Sequence, residues 1–317
     1  MTPRIVHASS PGAIDEAVRV LRAGGLVALP TETVYGLAAR ALDAAALSKI
    51  FAAKGRPVSH PLIAHVLDLD GAAQVSSDIE RGRALAAEFW PGPLTMILTR
   101  LLGVPDELSG GLPTVAVRAP SHPVARAVIA ALGEPIAAPS ANRYQHVSPT
   151  EAAHVARSLG DAVGLILDGG PATRGIESTV IDLVGPPRIL RPGPISEASL
   201  RAFVPGLQRS TRLVVDEHAR RVSPGLDARH YAPSVPAFLV DTFAEAAPED
   251  GVIACGPGLK SAAHTVTLDR EPSRYAAGLY AAMHRLEAAG VARIFIQRVP
   301  ADGAWDAIRD RLSRATG

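Results

Sequence analysis

Leu26-Val27-Ala28-Leu29 runs directly into Pro30-Thr31-Glu32-Thr33-Val34-Tyr35-Gly36-Leu37. Four apolar residues closed off by a proline have the length and bounds of a short buried strand. The segment after it gathers hydroxyls and a carboxylate at the strand's end, where α/β sheets commonly take their ligands. A capped turn, with Thr33 satisfying backbone groups and Tyr35 packing, explains the same residues equally well. On the N-terminal side, Ser10 is expected to cap a helix with Pro11 in its first turn, Ile14, Val18 and Leu21 lining one face until Gly24-Gly25 ends it. On the C-terminal side, Asp43 is expected to cap a second helix that places Leu47, Ile50 and Phe51 on one side and runs into the breaker Lys54-Gly55-Arg56-Pro57.

Further strand patterns cover 62–66, 94–98, 114–118, 135–138, 163–168, 178–183 and 189–191, with helical patterns over 123–132 and 151–159. Strands outnumber the helices between them and are spaced irregularly. A twisted mixed sheet with helices packed on it is therefore expected, rather than a simple doubly wound sheet. From about 203 to 236 the periodicity fades into Pro, Gly, Arg and Ser. Beyond it, strands (237–240, 251–254, 293–298) alternate with helices (273–289, 305–315), the pattern of a small Rossmann-like α/β domain with a parallel sheet. The expected organisation is a catalytic domain over 1–205, a linker or lid over 206–235 and a C-terminal domain over 236–317.

A chain of 317 residues, 47% of them hydrophobic, can bury two cores. Its longest apolar runs fall far short of the roughly 20 residues that span a bilayer, and the first ten residues lack a signal-peptide core. A cytoplasmic protein with no membrane partner is expected. Cys255 is the one cysteine, which excludes an intrachain disulfide and a cysteine-rich zinc site. A formal charge of +1 supplies no global field for nucleic acid, so direct tRNA binding is expected to be weak.

Several further segments carry chemistry. Lys54-Gly55-Arg56-Pro57 sets a point charge and a planar fork beside a flexible glycine, which suits phosphate, although cations also complement a helix C-terminus. His60 and His65 lie five apart across Pro61, a spacing that does not bring two imidazoles to one helix face, so no metal set is expected. The strand Thr114-Val115-Ala116-Val117-Arg118 ends on a guanidinium suited to a ligand carboxylate; a structural ion pair is the commoner reason for such an arginine. Ala138-Pro139-Ser140-Ala141-Asn142 and Ser148-Pro149-Thr150 present small polar groups that can hold a nucleotide or simply make turns. Gly175-Ile176-Glu177-Ser178-Thr179-Val180 brings another hydroxyl into a strand, with no G-x-S-x-G elbow to make Ser178 a hydrolase nucleophile. Gly256-Pro257-Gly258-Leu259-Lys260-Ser261 is not a Walker loop, so ATP would bind without one.

In this order and spacing the segments resemble the threonylcarbamoyl-AMP synthase family, in its long form with a YrdC-like catalytic domain and an added C-terminal domain. The likeness runs from Gly24 through Arg191-Pro192-Gly193. It resumes in Ser223-Pro224-Gly225-Leu226-Asp227-Ala228-Arg229-His230-Tyr231-Ala232-Pro233, with a fainter echo in Ala307-Ile308-Arg309-Asp310-Arg311-Leu312. The resemblance implies an enzyme that condenses L-threonine, bicarbonate or carbon dioxide, and ATP into threonylcarbamoyl-AMP and pyrophosphate. Mg²⁺ would enter on the ATP phosphates, and the product would pass to a tRNA threonylcarbamoyl-transferase. It implies that Thr33, His65, Arg118 and Ser178 hold threonine. Arg56, His60, Thr114, Ser140, Ser148, Arg191 and Tyr231 would hold ATP, with Lys54 and Arg56 stabilising the transferring phosphate. His60 stands where many relatives have Asn, and Ala138 where some have a hydroxyl residue. The segment 223–233 is expected to close over the nucleotide as a lid, Gly225 and Pro233 marking its moving ends. Two other readings are weighed: a carbamoyl-adenylate step of hydrogenase maturation, opposed by the lone Cys255, and a non-catalytic RNA-binding module, opposed by the near-neutral charge.

Overall fold

The computed structural model describes residues 3–209, 229–256 and 264–316. Among them, eleven strands form one sheet: β1 (Arg4–His7), β2 (Val27–Leu29), β3 (Gly36–Arg40), β4 (Ile63–His65), β5 (Leu94–Thr99), β6 (Thr114–Arg118), β7 (Ile136–Ala137), β8 (Leu165–Asp168), β9 (Thr179–Asp182), β10 (Arg188–Arg191) and β11 (Gln208–Arg209). Their order is β1-β8-β2-β3-β7-β4-β6-β5-β9-β10-β11. Parallel pairs such as β4/β6 and β5/β9 alternate with antiparallel ones such as β2/β3 and β5/β6, so the sheet is mixed as expected. It takes its last strand from residues just beyond the expected boundary at 205.

The helices show why these residues fold as they do. In α1 (Ala13–Arg22), Ala17, Val18 and Leu21 are buried, the larger side chains contributing about 1.5–3 kcal/mol each. Its start differs from expectation: Ser10 does not cap it. Ser10 instead accepts from Ala13 N in a turn, and Gly12 takes the left-handed conformation at the cap. The second helix, α2 (Ala44–Lys54), is capped by Asp43, which accepts from Ala46 N at 3.0 Å, and ends where Gly55 turns to φ 63°. Lys54 is its last residue and is buried on the face of Leu47 and Ile50. Two more helices, α3 (Pro123–Leu132) and α4 (Ala152–Leu159), fall where the sequence puts them.

Four parallel strands, β12 (Ala237–Val240), β13 (Gly251–Cys255), β14 (His264–Leu268) and β15 (Ile294–Gln297), make a second sheet in the order β12-β15-β13-β14. It packs with α5 (Pro272–Ala288) and α6 (Asp306–Ala315). This core is not self-contained. Val34, Val147 and Ile176 of the first domain belong to the same apolar cluster as Tyr275, Leu279, Ile294 and Trp305. None of the described helices is long and apolar enough to cross a membrane.

Candidate active site

Strand ends from both halves of the large sheet converge on a cavity of about 50 Å³. The parallel register of β4 and β6 sets His65 beside Arg118. The loop from β2 to β3 brings Thr31 and Thr33, the chain after β7 brings Ala138 and Ser140, and the approach to β9 and the end of β10 bring Ser178 and Arg191. Gly36 lets two of these segments pass closely, since a Cβ there would lie 3.1 Å from that of Ala138. Arg56, Glu177, His230 and Tyr231 complete the wall.

Arg118 has a neighbour at each guanidinium nitrogen. Its Nε donates to Gly92 O at 3.2 Å, Nη1 to Thr33 Oγ1 at 2.8 Å, and Nη2 lies 2.6 Å from Glu32 Oε1. Glu32 Oε2 accepts from Ser121 N. Burial raises the Glu32 carboxyl, but Arg118 outweighs it and holds the pKa below the ordinary value. A guanidinium has five N–H groups, so these contacts do not use up its donors.

His65 Nδ1 lies 3.0 Å from Ile63 O. A carbonyl can only accept, so the proton sits on Nδ1 and Nε2 keeps its lone pair. Burial and then Arg118 push the pKa down to about 3, which makes the ring a hydrogen-bond acceptor at neutral pH and a poor base. Ser178 Oγ is 2.7 Å from Thr95 Oγ1 and accepts from Arg191 Nη2 at 3.1 Å, while Arg191 Nε donates to Ser178 O. Arg191 thereby joins the expected threonine end to the expected nucleotide end.

Eight expected residues line the cavity: Thr33, Arg56, His65, Arg118, Ser140, Ser178, Arg191 and Tyr231. Four stand outside it. Lys54 turns its ammonium to Ser140 O, Asn142 O and Asn142 Oδ1, so it braces the turn that presents Ser140; burial and Arg56 lower its pKa well below the ordinary value. His60 meets Tyr144 edge to face at 5.5 Å. Thr114 shares the sheet face of Arg118 but stands at the other end of β6, about 13 Å away by the ordinary strand rise. Ser148 is buried and donates to Glu177 Oε1 at 2.6 Å. Glu32, Thr95 and Glu177 had no assigned role in the sequence, although two of them lie inside the quoted motifs. Of the expected lid, 210–228 lie outside the described residues, Gly225 among them, as do 257–261 of the glycine-rich segment. A larger cleft of about 780 Å³ opens between the domains, but Ile176, Ile189, Pro192, Ala276 and Ile308 make much of its wall, and Arg201 there is tied to Glu197.

A family model described as telomere recombination matches residues 19–193, and one described as threonylcarbamoyl-AMP synthase, C-terminal domain, matches 195–317. The threonylcarbamoyl-AMP synthase of Pyrococcus abyssi (strain GE5 / Orsay) is 38% identical, the match covering 95% of this chain and 93% of that protein. That of Bacillus subtilis (strain 168) is also 38% identical, with 96% and 93% covered. The crystal structure of P. abyssi Sua5 complexed with L-threonine superposes with a TM-score of 0.89 at 37% identity, over 96% of this chain and 94% of that one.

Proposed function

The chain belongs to the threonylcarbamoyl-AMP synthase family, and from that premise we propose that it condenses L-threonine, bicarbonate or carbon dioxide, and ATP into threonylcarbamoyl-AMP and pyrophosphate. The product is the donor for threonylcarbamoyl modification of the adenosine next to the tRNA anticodon, handed on to a tRNA threonylcarbamoyl-transferase in the cytoplasm. The observation that carries this reading is the continuity of the cavity wall, from the Arg118 end to Arg191 and Arg56.

In this reading, threonine sets its carboxylate on the remaining N–H groups of Arg118 and its amine against the lone pair of His65 Nε2. Once the ammonium has given a proton to solvent, the amine nitrogen attacks carbon dioxide with loss of a second proton to solvent, or bicarbonate with loss of water, giving N-carboxythreonine. One oxygen of its new carboxylate attacks the α-phosphorus of ATP; the bond to the β-phosphate bridging oxygen breaks, and pyrophosphate leaves. Arg56 and Arg191 face the charge that grows on the phosphates, and Lys54 holds the Ser140 turn that helps to position them. No covalent enzyme intermediate is needed. Mg²⁺ would arrive on the ATP phosphates. The Tyr231 side of the cavity would shield a hydrolysable anhydride from water.

The test is pyrophosphate release by the full-length chain with ATP and Mg²⁺. Release is expected to require threonine and bicarbonate together, with the adenylate seen by mass spectrometry. Equal release when either is withheld would sink the reading.

A further inference from the structure

Gly175-Ile176-Glu177 is where the C-terminal domain reaches the cavity. Gly175 has φ +70°, and a Cβ there would fall 2.4 Å from Ala276 O and 2.5 Å from Ala277 Cα, so glycine permits α5 to seat this closely. Two residues on, Glu177 is buried in the cavity wall beside Arg191 and Arg56. Its Oε1 accepts from Ser148 Oγ at 2.6 Å. Its Oε2 accepts from Arg311 Nε at 2.7 Å and from Tyr280 OH at 3.1 Å. Tyr280 lies on α5 and Arg311 on α6, so two of the three donors come from the other domain.

Arg311 is fully buried. It also pairs with Asp310 at 2.6 Å, and its guanidinium carbon stands 5.1 Å from the centre of the Tyr231 ring. Tyr231 stacks on Tyr280 with centroids 5.9 Å apart and takes φ 60°, a left-handed conformation that costs a non-glycine residue roughly 1–2 kcal/mol. Its hydroxyl is buried without a partner among the described residues. An unbonded hydroxyl on a strained residue, held from behind by Arg311 and Tyr280, is a group placed to meet a ligand.

We propose that Arg311 and Tyr280 make the C-terminal domain part of the working site: they hold the Glu177 carboxylate away from the ligand and fix the Tyr231 ring over it, keeping the Arg56 and Arg191 wall open to a phosphate-bearing ligand. Arg311 is thus a positioning residue, and the proposal rests on the nucleotide reading above. The groups facing Glu177 are Arg311 and Asp310 from α6, Tyr280 from α5, Arg191 from β10, and Ser148, whose carbonyl is met by His284 Nε2 at 3.2 Å. Burial raises the Glu177 carboxyl, but Arg311 and then Arg191 overcome it, so the group stays ionised at neutral pH. Without Arg311, a buried anion would be left facing the phosphates.

Inorganic pyrophosphate, titrated calorimetrically into the full-length chain, is the probe, alongside pyrophosphate release from ATP. Arg311→Met is expected to weaken pyrophosphate binding and raise KM for ATP by about tenfold or more, with kcat changed less. The lost affinity should return as pH is lowered, because protonating Glu177 removes the repulsion, and should return in the Glu177→Gln/Arg311→Met double variant. Arg311→Lys should fall between. A purely structural arginine predicts a double variant no better than the single one at every pH; that result, or an unchanged affinity, overturns the proposal. Tyr280→Phe keeps the ring and removes one donor, with about a threefold loss expected. If Arg311→Met fails to fold by circular dichroism, wild-type affinity in Tyr280→Phe overturns the proposal. A wild-type chain that binds pyrophosphate but makes none from ATP, threonine and bicarbonate refutes the proposed reaction and leaves these titrations to decide the role of Arg311. A wild-type chain without affinity for pyrophosphate overturns both.

Discussion

Two buried carboxylate–guanidinium pairs flank the site, and they are built differently. Glu32 and Arg118 meet at 2.6 Å, Glu177 and Arg311 at 2.7 Å, with every side chain nearly inaccessible. The first pair joins a loop and a strand end of one sheet, so forming that sheet sets its geometry. The second spans two domains and depends on α5 and α6 docking against the wall that carries Glu177. Taking two charges out of water costs about as much as their attraction returns. Neither pair is therefore a source of net stability; each fixes the positions of the two side chains it joins.

The largest expected effect comes from breaking the pair inside the sheet. Arg118→Ala leaves the Glu32 carboxylate buried and uncompensated, which should lower the unfolding free energy by about 3–5 kcal/mol in urea titrations. The same variant should lose threonine binding while retaining ATP binding. A stability change under about 1 kcal/mol would mean that Glu32 is solvated and that the two pairs are not comparable.

Acid should separate the two regions next. His65 and His154 have pKa values pushed down to about 3, chiefly by burial, and His284 is also lowered. A depressed histidine favours the folded state above its unfolded value of 6.5, and that stability drains away as pH falls toward the folded value. Glu32 and Glu177, also depressed, lose theirs only as pH falls below the ordinary 4.5. His154 from α4 and His284 from α5 stack across the domain seam at 4.0 Å. Between pH 6.5 and 4.5 the melting temperature should therefore fall, and His154→Asn should flatten that fall. An unchanged slope in the variant would rule out the seam as its source.

The smallest effect belongs to a third pair, Arg40 and Glu134, whose side chains are 33% and 20% exposed. Glu134→Gln should change the unfolding free energy by no more than about 1 kcal/mol, because water screens the loss. A cost equal to that of Arg118→Ala would show that burial is not what distinguishes the pairs.

Parts of this arrangement were legible in the residues. The Asp43 cap and the Gly55 stop of α2 were, because a cap is a contact between near neighbours. Strand β3 was not: Gly36-Leu37-Ala38-Ala39-Arg40 has no β-branched or aromatic residue to mark it, and the pairing with β2 and β7 makes it a strand. Strand β1 lies at the sheet edge with a polar Arg-Ile-Val-His sequence and shows no apolar run. The cationic turn at Lys54 and Arg56 was visible, but the destination of each cation was not. Lys54 goes to the carbonyls of Ser140 and Asn142, and the distance of Thr114 from Arg118 follows from their places at opposite ends of one strand.

The sequence by itself determined the two domains' element types and half of the residues in the cavity wall, because strand length, helix capping and turn chemistry act over a few residues. The tertiary structure decided which partners the buried groups of the cavity wall take. Arg118 takes Glu32, Glu177 takes an arginine 134 residues away, and Tyr231 is caught between Arg311 and Tyr280. Those contacts exist only after sheet register and domain docking have removed water from both partners, and neither event is written in the local pattern of residues.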